Sequence, residues 1–266
     1  VVNEGRVYFT CFDGVSFCLD AGNGSLVWRK QNSGTSAPIV AEGQVIVTQK
    51  ETNGGTDYEG LKRIDAERGT EKDKKLLTSS KADYLASGKG ANQGLGGKAF
   101  ELDAAVGFAN PPPSAKLGAA SKQVGVNSVV GGWAYQGSRA AQAKGRVMNA
   151  QGKFLNSVRA RDGLMTWQAE VKGATVADDS QVFSPPSLGE RYMYLSSTQG
   201  HLAAVSQEDG VVKFLYSTKQ PMTFQPALAE GNVYVGTANG LLICLKTGEK
   251  DADGWYAWGG NAQHNK

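Results

Sequence analysis

The residue types able to do chemistry are few and scattered. Asp251-Ala252-Asp253-Gly254 resembles half of a calcium loop. Ca²⁺ wants six to eight oxygens, and no continuation of an EF-hand follows, so a surface turn is expected. Asp178-Asp179 reads as a solvated turn. The run Gly88-Lys89-Gly90 to Gly94, Gly96 and Gly97 is glycine-rich, like a phosphate loop. It lacks the Walker spacing, and the following Phe100-Glu101-Leu102-Asp103 reads as a strand where a helix is needed, so a plain loop is expected. Of the two histidines, His201 follows Gly200 at the start of an inner strand. It has no nucleophile or orienting acid that spacing can name, so a satisfied or solvent-facing ring is expected. His264 lies in the tail and is read as structural.

Cys11, Cys18 and Cys244 form no Cys-x-x-Cys pair, which excludes a zinc ribbon, a thioredoxin-type site and c-type haem attachment here. With Asp13-Gly14 as a two-residue turn, Cys11 would face Ser16, and all three thiols read as small buried hydrophobes. No catalytic, cofactor-binding or metal-ligating residue is therefore assigned. A formal charge of +3 over 266 residues gives no reason to expect a nucleic-acid partner. No apolar run reaches the roughly 20 residues of a spanning helix.

The elements that must carry these residues are repeats. Residues 5–20, GRVYFTCFDGVSFCLD, align without a gap on residues 231–246, GNVYVGTANGLLICLK. Each is two short apolar strands about an Asp-Gly or Asn-Gly turn. A second pattern, LDAGNGSLVW at 19–28, recurs at 64–70, 102–107, 158–167, 205–214 and, shortened, at 245–249. The anchors Leu19, Ile64, Leu102, Val158, Val205 and Leu245 fall about 45 residues apart, the size of a four-stranded propeller blade. A further strand precedes each hairpin, as at 36–47, 184–195 and 225–235, with proline at its start. Glycine, 35 of 266 residues, is well above its usual share and fits many turns. The expectation is an all-β chain: a β-propeller of four-stranded antiparallel blades, about six repeats visible, in one domain over 1–266. Insertions are expected near 71–98, 107–127 and 138–153, with a short helical turn at 138–147.

Leu19-Asp20-Ala21 with Gly24 and Trp28, and Ala160-x-Asp162-Gly163 with Trp167, resemble the repeat of pyrroloquinoline-quinone-type (PQQ-like) β-propellers. The resemblance covers most of the chain and is weakest at about 71–150. It implies a docking girdle in which the indole packs flat on a neighbouring blade and Gly makes the tight turn. Asp73, Pro111 and Phe214 stand where Trp is expected, so the girdle should fail there. The family includes quinoprotein dehydrogenases and a bacterial outer-membrane assembly lipoprotein, and its members are mostly exported. An enzymatic member would hold PQQ and calcium in a central channel, with a carboxylate base and often an adjacent Cys-Cys disulfide. This chain has no Cys-Cys. Two function classes remain. The first is a non-catalytic scaffold that binds a protein partner or cell-surface polymer, without cofactor and outside the cytoplasm. The second is a PQQ- and calcium-dependent dehydrogenase or redox subunit.

Residues 1–5 align with Ala227–Gly231, so the chain is expected to start inside a strand of a larger exported protein. The tail 254–265 either completes the first blade or opens a second module.

Overall fold

The computed structural model describes residues 1–79 and 139–260, except 12, 33, 35, 54, 55, 152, 153, 172–182, 223 and 258. The chain divides into two compact units, Val1–Gly137 and Ser138–Lys266. Every regular element described is a β-strand and every ladder is antiparallel.

Unit one holds two four-stranded sheets. The first runs β1 (Val2–Asn3), β2 (Arg6–Thr10), β3 (Val15–Asp20) and β4 (Leu26–Gln31). The second runs β5 (Ile39–Ala41), β6 (Gln44–Asn53), β7 (Thr56–Asp65) and β8 (Glu71–Ser79). Unit two holds β9 (Ala141–Ala143), β10 (Arg146–Gln151), β11 (Phe154–Arg159) and β12 (Met165–Glu170) in one sheet. Its next sheet is β13 (Ser187–Leu188), β14 (Tyr192–Ser196), β15 (His201–Ser206) and β16 (Val212–Ser217). Its last has three strands, β17 (Ala227–Ala229), β18 (Asn232–Gly236) and β19 (Leu242–Lys246). The four-stranded sheets are the antiparallel blades of a β-propeller, as the repeats imply, and the last sheet shows three strands among the described residues.

Local sequence explains the meander. The first two strands of four sheets are joined by two residues with positive φ: Glu4-Gly5, Glu42-Gly43, Lys144-Gly145 and Glu230-Gly231. That geometry matches the right-handed twist of a hairpin, and Gly takes the second place without steric cost. The third and fourth strands turn on the Leu-Asp-Ala-x-x-Gly stretch. Asp20 Oδ1 accepts the Gly22 and Asn23 N–H groups at 2.9 and 3.0 Å, and Asp65 Oδ1 accepts those of Glu67 and Arg68 at 3.1 and 2.9 Å. The two turns of each sheet are then tied together. Ala21, Ala66 and Ala160 donate their N–H groups to Gly5, Gly43 and Gly145 carbonyls at 2.8, 3.0 and 2.8 Å.

A β-bulge sits at one place in four sheets, between Cys18 and Leu19, Arg63 and Ile64, Ser157 and Val158, and Ala204 and Val205. It sets the anchors Leu19, Ile64, Val158 and Val205 in equivalent positions on third strands, with Leu245 in the matching strand of the last sheet. Leu102 lies outside the described residues. The inner strands β14 and β15 are buried on both faces, whereas β4 and β12 bury only Trp28 and Trp167 well. Within unit two one core joins all three sheets, from Met148 and Leu155 through Leu195 and Leu202 to Leu228 and Val233. Within unit one Tyr8, Cys18 and Trp28 pack with Val45, Val47 and Ile64.

Of the insertion expected at 138–153, the described residues 139–151 hold β9 and β10, and they form no helical turn at 139–147. Alanine favours helix locally, but Ala141 and Ala143 alternate inward and pair with Met148 and Arg146, and burial in a sheet overrides the weak propensity. Residues 71–79 of the expected 71–98 insertion form β8. The rest of it, and 107–127, lie outside the described residues. The Cys11–Ser16 pairing shifts by one. Cys11 N–H donates to the Val15 carbonyl, Gly14 N–H donates back to the Cys11 carbonyl, and Thr10 faces Ser16. The connection is therefore the four residues 11–14. Cys18 is buried, Cys11 half-buried and Cys244 exposed, so only Cys18 is the buried thiol expected.

Candidate functional site

Two structural clasps join neighbouring sheets, one in each unit. Trp28 of β4 donates its indole N–H to the Ala66 carbonyl at 2.9 Å, and its ring lies on Gly69 so closely that a Cβ there would sit 2.7 Å from it. Trp167 of β12 does the same to the sheet after it. Its N–H reaches the Gln207 carbonyl at 3.0 Å, and a Cβ on Gly210 would come within 2.7 Å of the ring. Both partner sheets present the equivalent turn. The girdle thus forms where Trp is present. Asp73 instead turns back within its own sheet and pairs with the buried Arg63. Phe214 leans on Tyr194 of its own sheet, with ring centroids 6.3 Å apart.

In unit two a cleft of about 490 Å³ opens between the turns of the β9–β12 and β13–β16 sheets, and Gln207, whose carbonyl takes the Trp167 bond, lies in its lining. Lys144, Arg146, Glu190, Arg191, Glu208 and Lys213 line it. Arg146 Nη1 donates to the Gln207 and Glu208 carbonyls at 2.8 and 2.7 Å, and Lys144 Nζ to the Glu190 carbonyl at 2.6 Å. Gln207 Nε2 donates to the Gly189 and Tyr192 carbonyls at 2.9 and 3.0 Å. Arg191 links the cleft lining to the turn after the last sheet. Its Nε and backbone N–H both donate to Asp251 Oδ2, at 3.0 and 3.2 Å, and its Nη2 pairs with Glu249. Its guanidinium also lies 5.4 Å from the Tyr192 ring centroid.

These contacts set the charges. Asp251 and Glu249 raise the Arg191 pKa further. Burial pushes the Asp251 carboxyl up, but Arg191 outweighs it and holds the group below the usual carboxylate range. Asp209 is lowered by the Ser206 hydroxyl and the Val211 N–H. Glu190, Glu208 and Lys213 are exposed at the rim. The arrangement holds turns in register and offers mixed charge at its mouth. Lys144, Arg146 and Arg191 are engaged with backbone carbonyls and carboxylates.

The residues weighed in the sequence fall elsewhere. His201 heads β15, buried, with its backbone N–H on Ser197 Oγ at 3.0 Å, so the solvent-facing reading does not hold. Asp251–Gly254 is more than a surface turn. Asp251 takes Arg191, Asp253 Oδ1 accepts the Glu230 N–H at 3.2 Å, and Ala252 is fully buried. Among the described residues, no group of three or more His, Cys, Asp or Glu is arranged to hold a metal ion. Asp178, Asp179, Gly88–Gly97 and His264 lie outside the described residues. In the tail, Trp255 pairs with Leu228 of β17, at 2.8 Å from the Leu228 N–H to the Trp255 carbonyl. Sequence reasoning passed over Arg191. The available signal was its place in the hairpin turn, where the four other sheets carry Gly.

Repeated four-stranded blades, equivalent bulges and Trp-on-Gly clasps define a β-propeller of the PQQ-like class. A family model for the outer membrane protein assembly factor BamB matches residues 1–109 and 116–252, and the chain belongs to that family. No curated protein sequence matches it. Among solved structures it is similar to BamB from Moraxella catarrhalis, at 14% identity and a TM-score of 0.58, over 95% of this chain and 61% of that one. It is also similar to the quinohemoprotein alcohol dehydrogenase ADHIIG of Pseudomonas putida HK5, at 12% identity and TM-score 0.55, over 94% and 40%. The Cps50 (Swd1) β-propeller domain of Myceliophteria thermophila gives 11% identity and TM-score 0.51, over 93% and 68%. At these identities the likeness is one of fold. The chain spans about three-fifths of the Moraxella protein.

Proposed function

We propose that this chain is a non-catalytic docking module of an exported protein assembly, working outside the cytoplasm and without a quinone or metal cofactor. Membership of an assembly-factor family supports the scaffold role. The observation that carries it is the unit-two cleft. Arg146 and the exposed Arg191 are engaged with backbone carbonyls and carboxylates, while Glu190, Glu208 and Lys213 also stand exposed along it. A rigid wall with charged rim residues suits orientation of a protein surface. The partner is a protein or a cell-surface polymer; neither nucleic acid nor an anionic membrane surface is called for by a charge of +3.

The test has two arms. A partner captured from envelope extract is titrated against the chain and against the double variant Glu208→Lys, Lys213→Glu. At least a ten-fold loss of affinity with unchanged melting supports the reading; equal affinity removes the cleft from it. In the second arm PQQ and Ca²⁺ are added with an alcohol or sugar and a redox dye. No dye reduction is expected, and turnover would establish the dehydrogenase class instead.

A further inference from the structure

The geometry points to the outer edge of β19 as a strand-addition site that accepts an extended segment of a partner polypeptide reading aliphatic-x-aromatic. Three observations meet there. The first is that the sheet β17–β19 stops at three strands among the described residues, whereas the four others have a fourth. The second is burial. Residues 11–14, 197–200 and 237–240 make equivalent turns, in which Gly14, Gly200 and Gly240 each donate N–H to the carbonyl three residues back. The two residues after each turn are therefore equivalent. Val15 and Ser16 are 2% and 1% exposed, and His201 and Leu202 are 9% and 0%. Leu241 and Leu242 are 54% and 75% exposed. The third is hydrogen bonding. The Gly14 carbonyl accepts the Asn32 and Gly34 N–H groups at 3.2 Å each, and the Gly200 carbonyl accepts that of Thr218 at 2.7 Å, in both cases from chain just past the fourth strand. The Gly240 carbonyl has no such donor among the described residues.

The sister sheets state what such an edge takes. Cys18 faces Trp28 in Leu26-Val27-Trp28, and Ala204 faces Phe214 in Val212-Lys213-Phe214. Cys244 occupies the place of Cys18, since Tyr234 pairs with Cys244 as Tyr8 pairs with Cys18. An incoming strand in that register sets an aromatic residue opposite Cys244. Its second residue beyond lies opposite Leu242, on the same exposed face. Its backbone supplies the missing ladder, the mode by which exposed sheet edges recruit extended peptides.

This rests on the docking reading and specifies a second surface for it, so its test does not use the cleft. A peptide copying residues 25–32 is added to the full chain, and amide exchange is followed over Leu242–Lys246. Protection of those amides by at least ten-fold is expected, and none with a peptide carrying Val27→Pro and Arg29→Pro. In a Cys11→Ser background, a peptide carrying Trp28→Cys should form a disulfide with the exposed Cys244 at least ten times faster than one carrying Arg29→Cys, which a one-residue slip turns to the other face. Unprotected amides at millimolar peptide, or equal trapping by both peptides, overturn the proposal. Either result leaves the charge-reversal test of the cleft untouched.

Discussion

At Gly69 and Gly210 the backbone combines a positive φ, 67° and 75°, with a tryptophan ring where a side chain would be. Gly24 has the same kind of backbone, φ 73°, but open space around its missing Cβ. The pair separates two effects. Gly24→Ala should cost about 1 kcal/mol, from the left-handed backbone alone. Gly69→Ala adds overpacking against Trp28 and should cost about 2–4 kcal/mol. Chemical denaturation of both variants checks the difference. Two tyrosines answer to pH. Burial pushes Tyr8 up to about 12, with Cys18 adding to the shift, and burial with the Asp251 charge does the same for Tyr194. An unfolded tyrosine ionises near 10. Above about pH 10 the unfolded chain releases protons that the folded chain keeps. Stability is thus full below pH 10 and falls as pH rises through 12. Tyr194→Phe should leave neutral-pH stability nearly unchanged and make the alkaline decline shallower, measured by urea unfolding at about pH 8, 10.5 and 11.5.

Among the elements, the fourth strands decide how sheets join. Trp167 buries a large ring and satisfies the Gln207 carbonyl, so Trp167→Ala should cost about 3–5 kcal/mol, and Trp167→Phe a smaller amount centred on the lost N–H bond. Asp73 shows how a sheet manages without the clasp. It holds Arg63, which is 7% exposed and also reaches Gln44 Oε1 at 3.4 Å. Asp73→Ala should destabilise by about 3 kcal/mol because a largely buried guanidinium loses its anion. Calorimetry on the three variants checks these magnitudes. The clasp was legible from Trp28, Trp167 and the turn glycines, because tryptophan and glycine at fixed offsets admit few other uses. The strands at 141–151 were not, because alanine and lysine favour helix locally and only pairing with β11 shows otherwise.

For the molecule as a whole, a net charge of +3 is too small to steer a partner, so salt sensitivity must come from the cleft rim. Partner affinity should fall several-fold between about 0.05 and 0.3 M NaCl, and the Lys213→Glu variant should lose most of that dependence. A salt response unchanged by that variant would move the interface elsewhere. The amino-acid sequence by itself determined the all-β blades, the turns and the equivalent anchors on successive third strands. These follow from residue period and from glycine and aspartate at fixed offsets, all local properties of a repeat. Tertiary structure alone decided that Arg191 meets Glu249 and Asp251, that a charged cleft opens at Gln207, and that β19 has no fourth strand beside it among the described residues. Each depends on which distant turn comes within hydrogen-bonding reach, and no spacing along the chain encodes that distance.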